Sequence, residues 1–406
     1  MKIGILTYHS VYNFGANLQV YSTVGYLRNN GFEPIIINWI PNDMEAKSDK
    51  IIPPIQADAH KNFIKDNLPC TNICRTDADI VYEIEREHIK GIIIGSDALF
   101  KLKPFWSRVH LRRKGIFIEP TPPGQWRFPN PFWGSFIPLM KEHIPVIVMS
   151  VSSQNSAFKL IKGRTKKELN NALHKLSDIT VRDNWTREMV AYLTKGTILP
   201  LITPDPVFAY NQNIKEQISK HELLDRFNIP ERYILISFRT QNVVTKAWLR
   251  SFELLAEKSN LHCVALTMPD GIIFEHSFST LIEPPLSPRE WYGLIKFSSG
   301  YIGENMHAIV VALHNGIPFY SFDSYGILKY KFFVKDKSSK IYDILSQAGF
   351  LKNRISILGK SYKAPTPEFV IQRIKEFDSD NCIKFNISQL DKYNRMMNSI
   401  LAFFHI

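Results

Sequence analysis

The chain has 406 residues, 45% of them apolar, and a net charge of +12, which favours two or three domains and acidic partners. No apolar run approaches the ~18 residues that span a bilayer, and the four cysteines lack zinc spacing, so membrane-spanning and zinc-binding proteins are excluded. No nucleic-acid-binding module is recognisable, and we expect a soluble, cytoplasmic protein without a nucleic-acid partner.

The first half of the chain alternates apolar β-rich runs with segments of helical periodicity. Strands are predicted at residues 2–8, 32–39, 91–97, 145–151 and 179–183, helices at 18–28, 80–90, 166–177 and 185–193, and a partly helical stretch at 51–68. Such β-α-β connections produce parallel sheets, whose ligands bind at the carboxyl ends of the strands. The sequence places three loops at that edge, at residues 9–19, 95–97 and 152–153.

A segment at residues 102–138 interrupts this alternation and is rich in proline, aromatic residues and arginine. One interpretation is an ordered surface loop held by its aromatic side chains. The other is a patch that contacts the inner face of a membrane, with tryptophans at headgroup level and arginines on anionic lipid. The residues of this second interpretation are Trp106, Trp126, Trp133, Arg108, Arg112 and Arg113.

A proline-rich stretch at residues 197–206 indicates a domain boundary, after which the alternation begins again. Strands are predicted at 233–238, 262–268, 300–302 and 317–322, and helices at 247–258, 287–297, 306–314 and 339–349. We therefore predict an N-terminal domain at 1–200, a C-terminal domain at 201–358, and closing helices at 359–406 that pack back on the first domain. Both domains are predicted to be Rossmann-like and to face each other across a cleft.

The stretch at residues 300–325 places a histidine at the start of a predicted helix. A strand ends in the polar turn Gly303-Glu304-Asn305, and the helix begins near Met306 and His307. A helix N-terminus favours bound anions, and a histidine moves protons near neutral pH. His307 is therefore a candidate catalytic residue; the alternative is a helix-capping or buried structural histidine.

Two further side chains are candidates for catalysis on the first domain. Arg182, at a predicted strand end, suits a bidentate hold on a carboxylate or phosphate, and its alternative is an ion pair with Asp183 or Glu188. Asp97 is placed to take a proton from a hydroxyl or to bind a sugar, and its alternative is a helix N-cap.

Five motifs in this order resemble the polysaccharide pyruvyl transferase family. Each motif alone is weak, but the set is fairly specific and extends over about residues 3–350. The motifs are Asn13-Phe14-Gly15-Ala16-Asn17-Leu18-Gln19, Gly95-Ser96-Asp97, Thr180-Val181-Arg182-Asp183, Asp205-Pro206, and Asn305-Met306-His307 with Gly316-Ile317-Pro318.

The resemblance implies two Rossmann-like domains arranged as in the B-type glycosyltransferases. It implies that pyruvate passes from phosphoenolpyruvate, as co-substrate, to two hydroxyls of a sugar, giving a cyclic ketal and phosphate without metal or cofactor. The phosphoenolpyruvate side would be the C-terminal domain and the acceptor side the N-terminal domain. The acceptor would be a sugar of a surface polysaccharide or of its lipid-linked precursor.

Substrate-binding roles are expected for residues of the same loops. They are Asn13, Gly15, Ser96, Ser153, Arg239, Asn305 and Met306. Two positions depart from the family pattern. Asn305 stands where some members carry arginine, so we expect Arg182 to supply the missing charge, and Ala98-Leu99-Phe100 replaces the usual sequence after Asp97.

Two other functions fit the sequence. One is a nucleotide-sugar glycosyltransferase of B-type fold, which would bind a nucleotide near the same helix start. The other is a non-catalytic carbohydrate-binding relative, which Asn305 favours because a cation is absent there.

Overall fold

The computed structural model describes residues 1–43, 52–112, 115–329 and 333–404. The strands in the described ranges are β1 (Lys2–Leu6), β2 (Glu33–Ile36), β3 (Gly91–Asp97), β4 (Val109–Arg112), β5 (Gly115–Ile118), β6 (Val146–Val151), β7 (Asp178–Val181), β8 (Leu201–Ile202), β9 (Tyr233–Ser237), β10 (His262–Leu266), β11 (Thr280–Ile282), β12 (Gly300–Gly303), β13 (Phe319–Asp323), β14 (Ile327–Lys329), β15 (Phe333–Lys335) and β16 (Arg354–Ser356).

The α-helices in the same ranges alternate with these strands. They are α1 (Phe14–Asn29), α2 (Pro54–Asn67), α3 (Asp77–Arg86), α4 (Gly163–Leu173), α5 (Asn184–Leu193), α6 (Tyr210–Asn213), α7 (Lys220–Phe227), α8 (Lys246–Glu257), α9 (Pro288–Lys296), α10 (Met306–Asn315), α11 (Lys340–Gln347), α12 (Pro367–Lys375) and α13 (Ser379–Ala402). No helix in the described ranges has the length and apolar character needed to cross a bilayer.

Two six-stranded sheets, each entirely parallel, form the frame of the molecule. The first has the order β2-β1-β3-β6-β7-β8 and the second β11-β10-β9-β12-β13-β16. In each sheet the second strand along the chain lies on one side of the first strand, and a later strand lies on the other side. This change of direction leaves a crevice at the carboxyl end of the first strand. The predicted α/β fold of two Rossmann-like domains is confirmed.

The central strands are apolar along their whole length because helices cover both faces of each sheet. All seven residues of β3 and all six of β6 are buried. The C-terminal helix α13 contacts both domains: Cys382 near its start lies in the core of the second domain, and Tyr393, Met397 and Ile400 lie in the core under the first sheet. The two domains therefore share α13 in addition to their linker.

Several element boundaries differ from the prediction for identifiable reasons. Helix α1 starts at Phe14 rather than Leu18 because the Asn13 side chain accepts hydrogen bonds from the N–H groups of Gly15 and Ala16 and so caps the helix. Helix α13 begins at Ser379 rather than 388, where Asp378 accepts from the Asn381 N–H. The short strands β11 and β16 and helix α7 were not predicted.

The insert at 102–138 is partly packed into the first domain and partly exposed. Trp133 is 1% exposed and stacks on Phe100 with ring centroids 4.1 Å apart, so its predicted place at headgroup level is wrong. Trp126 lines the cleft, whereas Trp106 is 67% exposed. The insert also forms the β4–β5 hairpin, which was not predicted. The side chain of Arg112 and all of Arg113 lie outside the described residues.

Candidate active site

A cleft of about 410 Å³ lies between the carboxyl edges of the two sheets. Residues that follow the central strands line it from both sides: Tyr8 after β1 and Asp97 at the end of β3, and Arg239 after β9 and Glu304 after β12. This is the position at which parallel sheets bind ligands, reached from two domains at once. The cleft therefore is the candidate active site.

Two helices, one from each domain, begin at this cleft. Asn13 caps α1, and Asn305 caps α10 by accepting hydrogen bonds from the N–H groups of His307, at 2.9 Å, and Ala308. Both asparagines line the cleft. Because neither helix has an acidic residue in its first turn, both N-termini keep their positive potential for a bound anion.

The two helix starts meet where Gly15 packs against the ring of His307. A Cβ atom built on Gly15 would lie 2.0 Å from Cγ of His307, which is far inside van der Waals contact. The missing side chain is therefore what lets the histidine of the second domain lie against the first turn of α1. Gly15 positions the ring and is not free to take a larger residue.

We expect Gly15→Ala to destabilise the protein by about 1–3 kcal/mol, because the new methyl group must displace the His307 ring or the helix. An ordinary glycine-to-alanine change inside a helix stabilises it by roughly 0.5–1 kcal/mol. The change in the free energy of unfolding thus has opposite signs in the two cases. Urea unfolding of the variant and the wild type measures this change. A Gly15→Ala protein more stable than wild type would contradict the close packing described above.

The buried carboxylate of Asp205 joins three groups beneath the cleft. Its Oδ2 atom accepts a hydrogen bond from Arg182 Nη1 at 2.5 Å and one from Gln19 Nε2 at 2.6 Å, and lies 3.9 Å from Nε2 of His307. Asp205 is 1% exposed and lies in the segment between the two sheets. Burial opposes its ionisation, but Arg182 and His307 outweigh that effect, so the pKa of Asp205 lies below its usual value.

His307 is 3% exposed, and burial lowers its pKa to about 4 against the opposing attraction of Asp205 and Asp97. The imidazole is therefore neutral near pH 7 in the empty cleft and able to accept a proton. Its Nε2 atom has no hydrogen-bond partner among the described residues, although it is buried. The same holds for Nε and Nη2 of Arg182. Buried donors and acceptors of this kind are normally satisfied, so a ligand or an ordered water is the expected partner.

Comparison with protein-family models identifies the family to which this site belongs. The model of the polysaccharide pyruvyl transferases matches residues 13–325, which include Asn13, Asp97, Arg182, Asp205 and His307. The chain belongs to the polysaccharide pyruvyl transferase family. The family predicted from the five sequence motifs is confirmed. Among curated proteins there is no match.

Solved structures share the fold of this family member at low sequence identity. The UDP-GlcNAc 2-epimerase from Neisseria meningitidis, bound to UDP-GlcNAc, matches over 99% of both chains with a TM-score of 0.53 and 10% identity. The spinosyn forosaminyltransferase SpnP matches over 100% of both chains with a TM-score of 0.51 and 10% identity. The likeness shows the predicted B-type glycosyltransferase fold and nothing of the substrate.

The structure brings most predicted site residues of this pyruvyl transferase family member together. Asn13, Asp97, Arg239, Asn305 and His307 line the cleft. Nη2 of Arg182 lies 3.8 Å from Oδ1 of Asp97, which connects the cleft to the buried Asp205 group. Asp97 ends a strand and does not cap a helix.

Three predicted substrate-binding residues have structural partners instead. The Ser96 hydroxyl donates to the Ser150 carbonyl at 2.8 Å, the Ser153 hydroxyl is 3.0 Å from that of Thr186, and Met306 lies in the core of the second domain. None of the three lines the cleft. Arg239 is half-exposed and pairs with Asp270, which offsets its charge.

The ion pair that Arg182 forms is not the one considered as the alternative to a catalytic role, which was with Asp183 or Glu188. Asp183 caps α5 by accepting from the Thr186 N–H at 2.7 Å, and the partner of Arg182 is Asp205. No grouping of three or more His, Cys, Asp or Glu side chains in the described ranges is suited to hold a metal ion.

Two lysines complete the cleft and were missed by the sequence analysis. Lys101 follows β3, and Lys340 is the first residue of α11. Lys340 stands in the helix 339–349 that was predicted, but its type and spacing match no motif that would have singled it out. Only the fold brings the start of α11 to the cleft.

Proposed function

We propose that this protein transfers pyruvate from phosphoenolpyruvate to two hydroxyls of a sugar as a cyclic ketal. The observation that carries the proposal is the cleft itself, in which a buried histidine and two lysines lie beside two helix N-termini in a member of the pyruvyl transferase family. Phosphoenolpyruvate presents a carboxylate and a phosphate to such groups.

The reaction needs a proton at one carbon and a nucleophile at the next. The methylene carbon of phosphoenolpyruvate takes up a proton, and positive charge develops at the neighbouring carbon that bears the phosphate. A sugar hydroxyl adds there and loses its proton, phosphate departs with the bond electrons, and the second hydroxyl adds and loses its proton to close the ring. The products are the ketal and inorganic phosphate, and one of the two protons released replaces the one taken up.

The side chains of the cleft are suited to these steps. His307, neutral before substrates bind, accepts the proton of the attacking hydroxyl, and a bound phosphate beside it would raise its pKa and let it donate. Asp97 holds the acceptor hydroxyls from the first domain. Arg182 lies beneath the cleft, where Asp205 anchors it and its Nη2 atom is 3.8 Å from Oδ1 of Asp97, so it positions that carboxylate.

The acceptor in this proposal is a sugar of a surface polysaccharide or of its lipid-linked precursor. The exposed apolar side chains of the insert support the lipid-linked form, because two of them, Phe105 and Trp106, line a second cavity with Trp126, which also lines the cleft. The exposed apolar side chains are Phe105, Trp106, Ile116, Phe117 and Ile118, which are 49%, 67%, 70%, 38% and 49% exposed.

The variant His307→Gln tests the proposal. We expect wild-type protein to release phosphate from phosphoenolpyruvate only with a suitable sugar, and the acceptor mass to increase by pyruvate less one water. The variant should release phosphate at least about 100-fold more slowly, since the substitution removes the proton carrier. His314→Gln is the matched control, because His314 is a buried histidine of the same helix that bonds to Asn386 outside the cleft.

Two outcomes would contradict the proposal. One is a His307→Gln enzyme as active as the His314→Gln control. The other is a wild-type protein that turns over nucleotide sugars and leaves phosphoenolpyruvate unchanged with every acceptor tried.

A further inference from the structure

Lys340 is a buried cation without an anionic partner. It is 7% exposed, and its Nζ atom lies 4.5 Å from the centroid of the Tyr325 ring. No carboxylate of the described residues lies within ion-pair distance of that ammonium group. Buried lysines are normally paired, because removing the charge from water is costly. The lysine also lies beyond residue 325, where the match to the family ends.

Lys101 approaches the same cleft from the other domain. Its Nζ atom lies 3.5 Å from the centroid of the Trp126 ring, and it too has no carboxylate of the described residues at ion-pair distance. The Trp126 and Tyr325 rings each stabilise an ammonium group through their π-electrons but do not neutralise it. The cleft thus receives from each domain one lysine that forms no ion pair with the described residues, and both line the same cavity as His307.

Burial and repulsion by nearby cations both destabilise the charged form of the two lysines. Burial lowers the pKa of Lys340 to about 8, and the nearby Arg182 adds to the effect against the weaker attraction of Asp97, Asp183 and Asp205. Burial likewise lowers the pKa of Lys101 to about 8, with repulsion from Lys103 and from Lys340. Such destabilised charges cluster at functional sites, because a ligand of opposite charge relieves them.

We propose that Lys101 and Lys340 form one binding site for the dianionic phosphate group of a small phosphorylated substrate. A phosphate ester offers the two negative charges that the pair lacks, and its oxygens accept hydrogen bonds from both ammonium groups. The lysines supply the positive charge that Asn305 does not provide and that Asp205 neutralises on Arg182. Identification of the phosphate as that of phosphoenolpyruvate rests on the proposed function.

Calorimetric titration with inorganic phosphate, and separately with phosphoenolpyruvate, tests this site. We expect Lys101→Met and Lys340→Met each to weaken phosphate binding by at least about tenfold, since each removes one buried charge contact, and the double variant to bind none detectably. Lys337→Met and Lys352→Met are matched controls, because both lysines are exposed and do not line the cleft. The controls should bind as wild type does.

Thermal unfolding without phosphate gives a second measurement. We expect Lys340→Met to raise the midpoint, because it replaces an unpaired buried charge by an apolar chain of similar length. Wild-type protein that binds no phosphate, or lysine variants that bind it as the controls do, would overturn the site. If the variants lose phosphate but wild-type protein forms no ketal, the lysine site stands and the proposed function fails.

Discussion

Asp205→Ala is expected to lower the free energy of unfolding by about 3–5 kcal/mol, the usual result of breaking a buried ion pair from one side. The carboxylate is the common acceptor for Arg182 and Gln19, and it also accepts from the N–H of Val207 at 3.0 Å. Its removal leaves the guanidinium of Arg182, which is 7% exposed, without a counterion at 2.5 Å. Urea unfolding followed by fluorescence measures the loss.

A double variant distinguishes the effect of an unpaired buried charge on stability from the effect of lost packing. Arg182→Met with Asp205→Leu removes both charges and keeps apolar volume, so it should be clearly more stable than Asp205→Ala alone. Asp225→Ala, at an exposed helix position, should change stability by less than about 0.5 kcal/mol. An Asp205→Ala protein as stable as the Asp225→Ala control would contradict the role assigned to this ion pair.

Acidification below pH 6.5 is expected to destabilise the protein strongly through its buried histidines, His9, His60, His307 and His314. Burial lowers the pKa values of His60, His307 and His314 to about 4. Between pH 6.5 and 4 the unfolded chain binds protons at these positions and the folded chain does not, so the free energy of unfolding falls as the pH falls. Each of these three histidines contributes up to about 3 kcal/mol over this window.

Urea unfolding at pH 7.0, 5.5 and 4.5 measures this dependence, and single variants assign it. His314→Gln should reduce the loss of stability between pH 6.5 and 4 by up to about 3 kcal/mol, the contribution of one such histidine. His221→Gln, whose side chain is 86% exposed, should leave the pH dependence as it is in wild type. A stability that stays constant from pH 7 to 4.5 would show that the buried histidines accept protons in the folded protein.

The parts of the fold that the sequence predicts are those that local patterns determine. The apolar runs of β1, β3 and β6 and the Ser287-Pro288 start of α9 have short-range causes, namely burial on two sides and helix capping. The start of α1 was placed too late because Asn13 was interpreted as part of a ligand loop. Its N-cap role follows from its type and position, and a capping argument would have found it.

The site is predicted only where a residue follows a strand or starts a helix. Asp97 and His307 satisfy that rule, and the structure places both in the cleft. Arg182 pairs with Asp205, which lies 23 positions further along the chain. Nothing in the sequence spacing favours Asp205 over the adjacent Asp183 as its partner. Lys101 and Lys340 are further apart still, and only the assembled domains bring them together.

The helix α13 has a mechanical consequence for the cleft. Sγ of Cys382 donates to the Leu313 carbonyl at the end of α10, while Tyr393 and Met397 are fixed under the first sheet. Helix α13 thus links α10, which carries His307, to the domain that carries Asp97. Any opening of the two domains must therefore bend α13 or release one of its ends, in addition to separating His307 from Gly15.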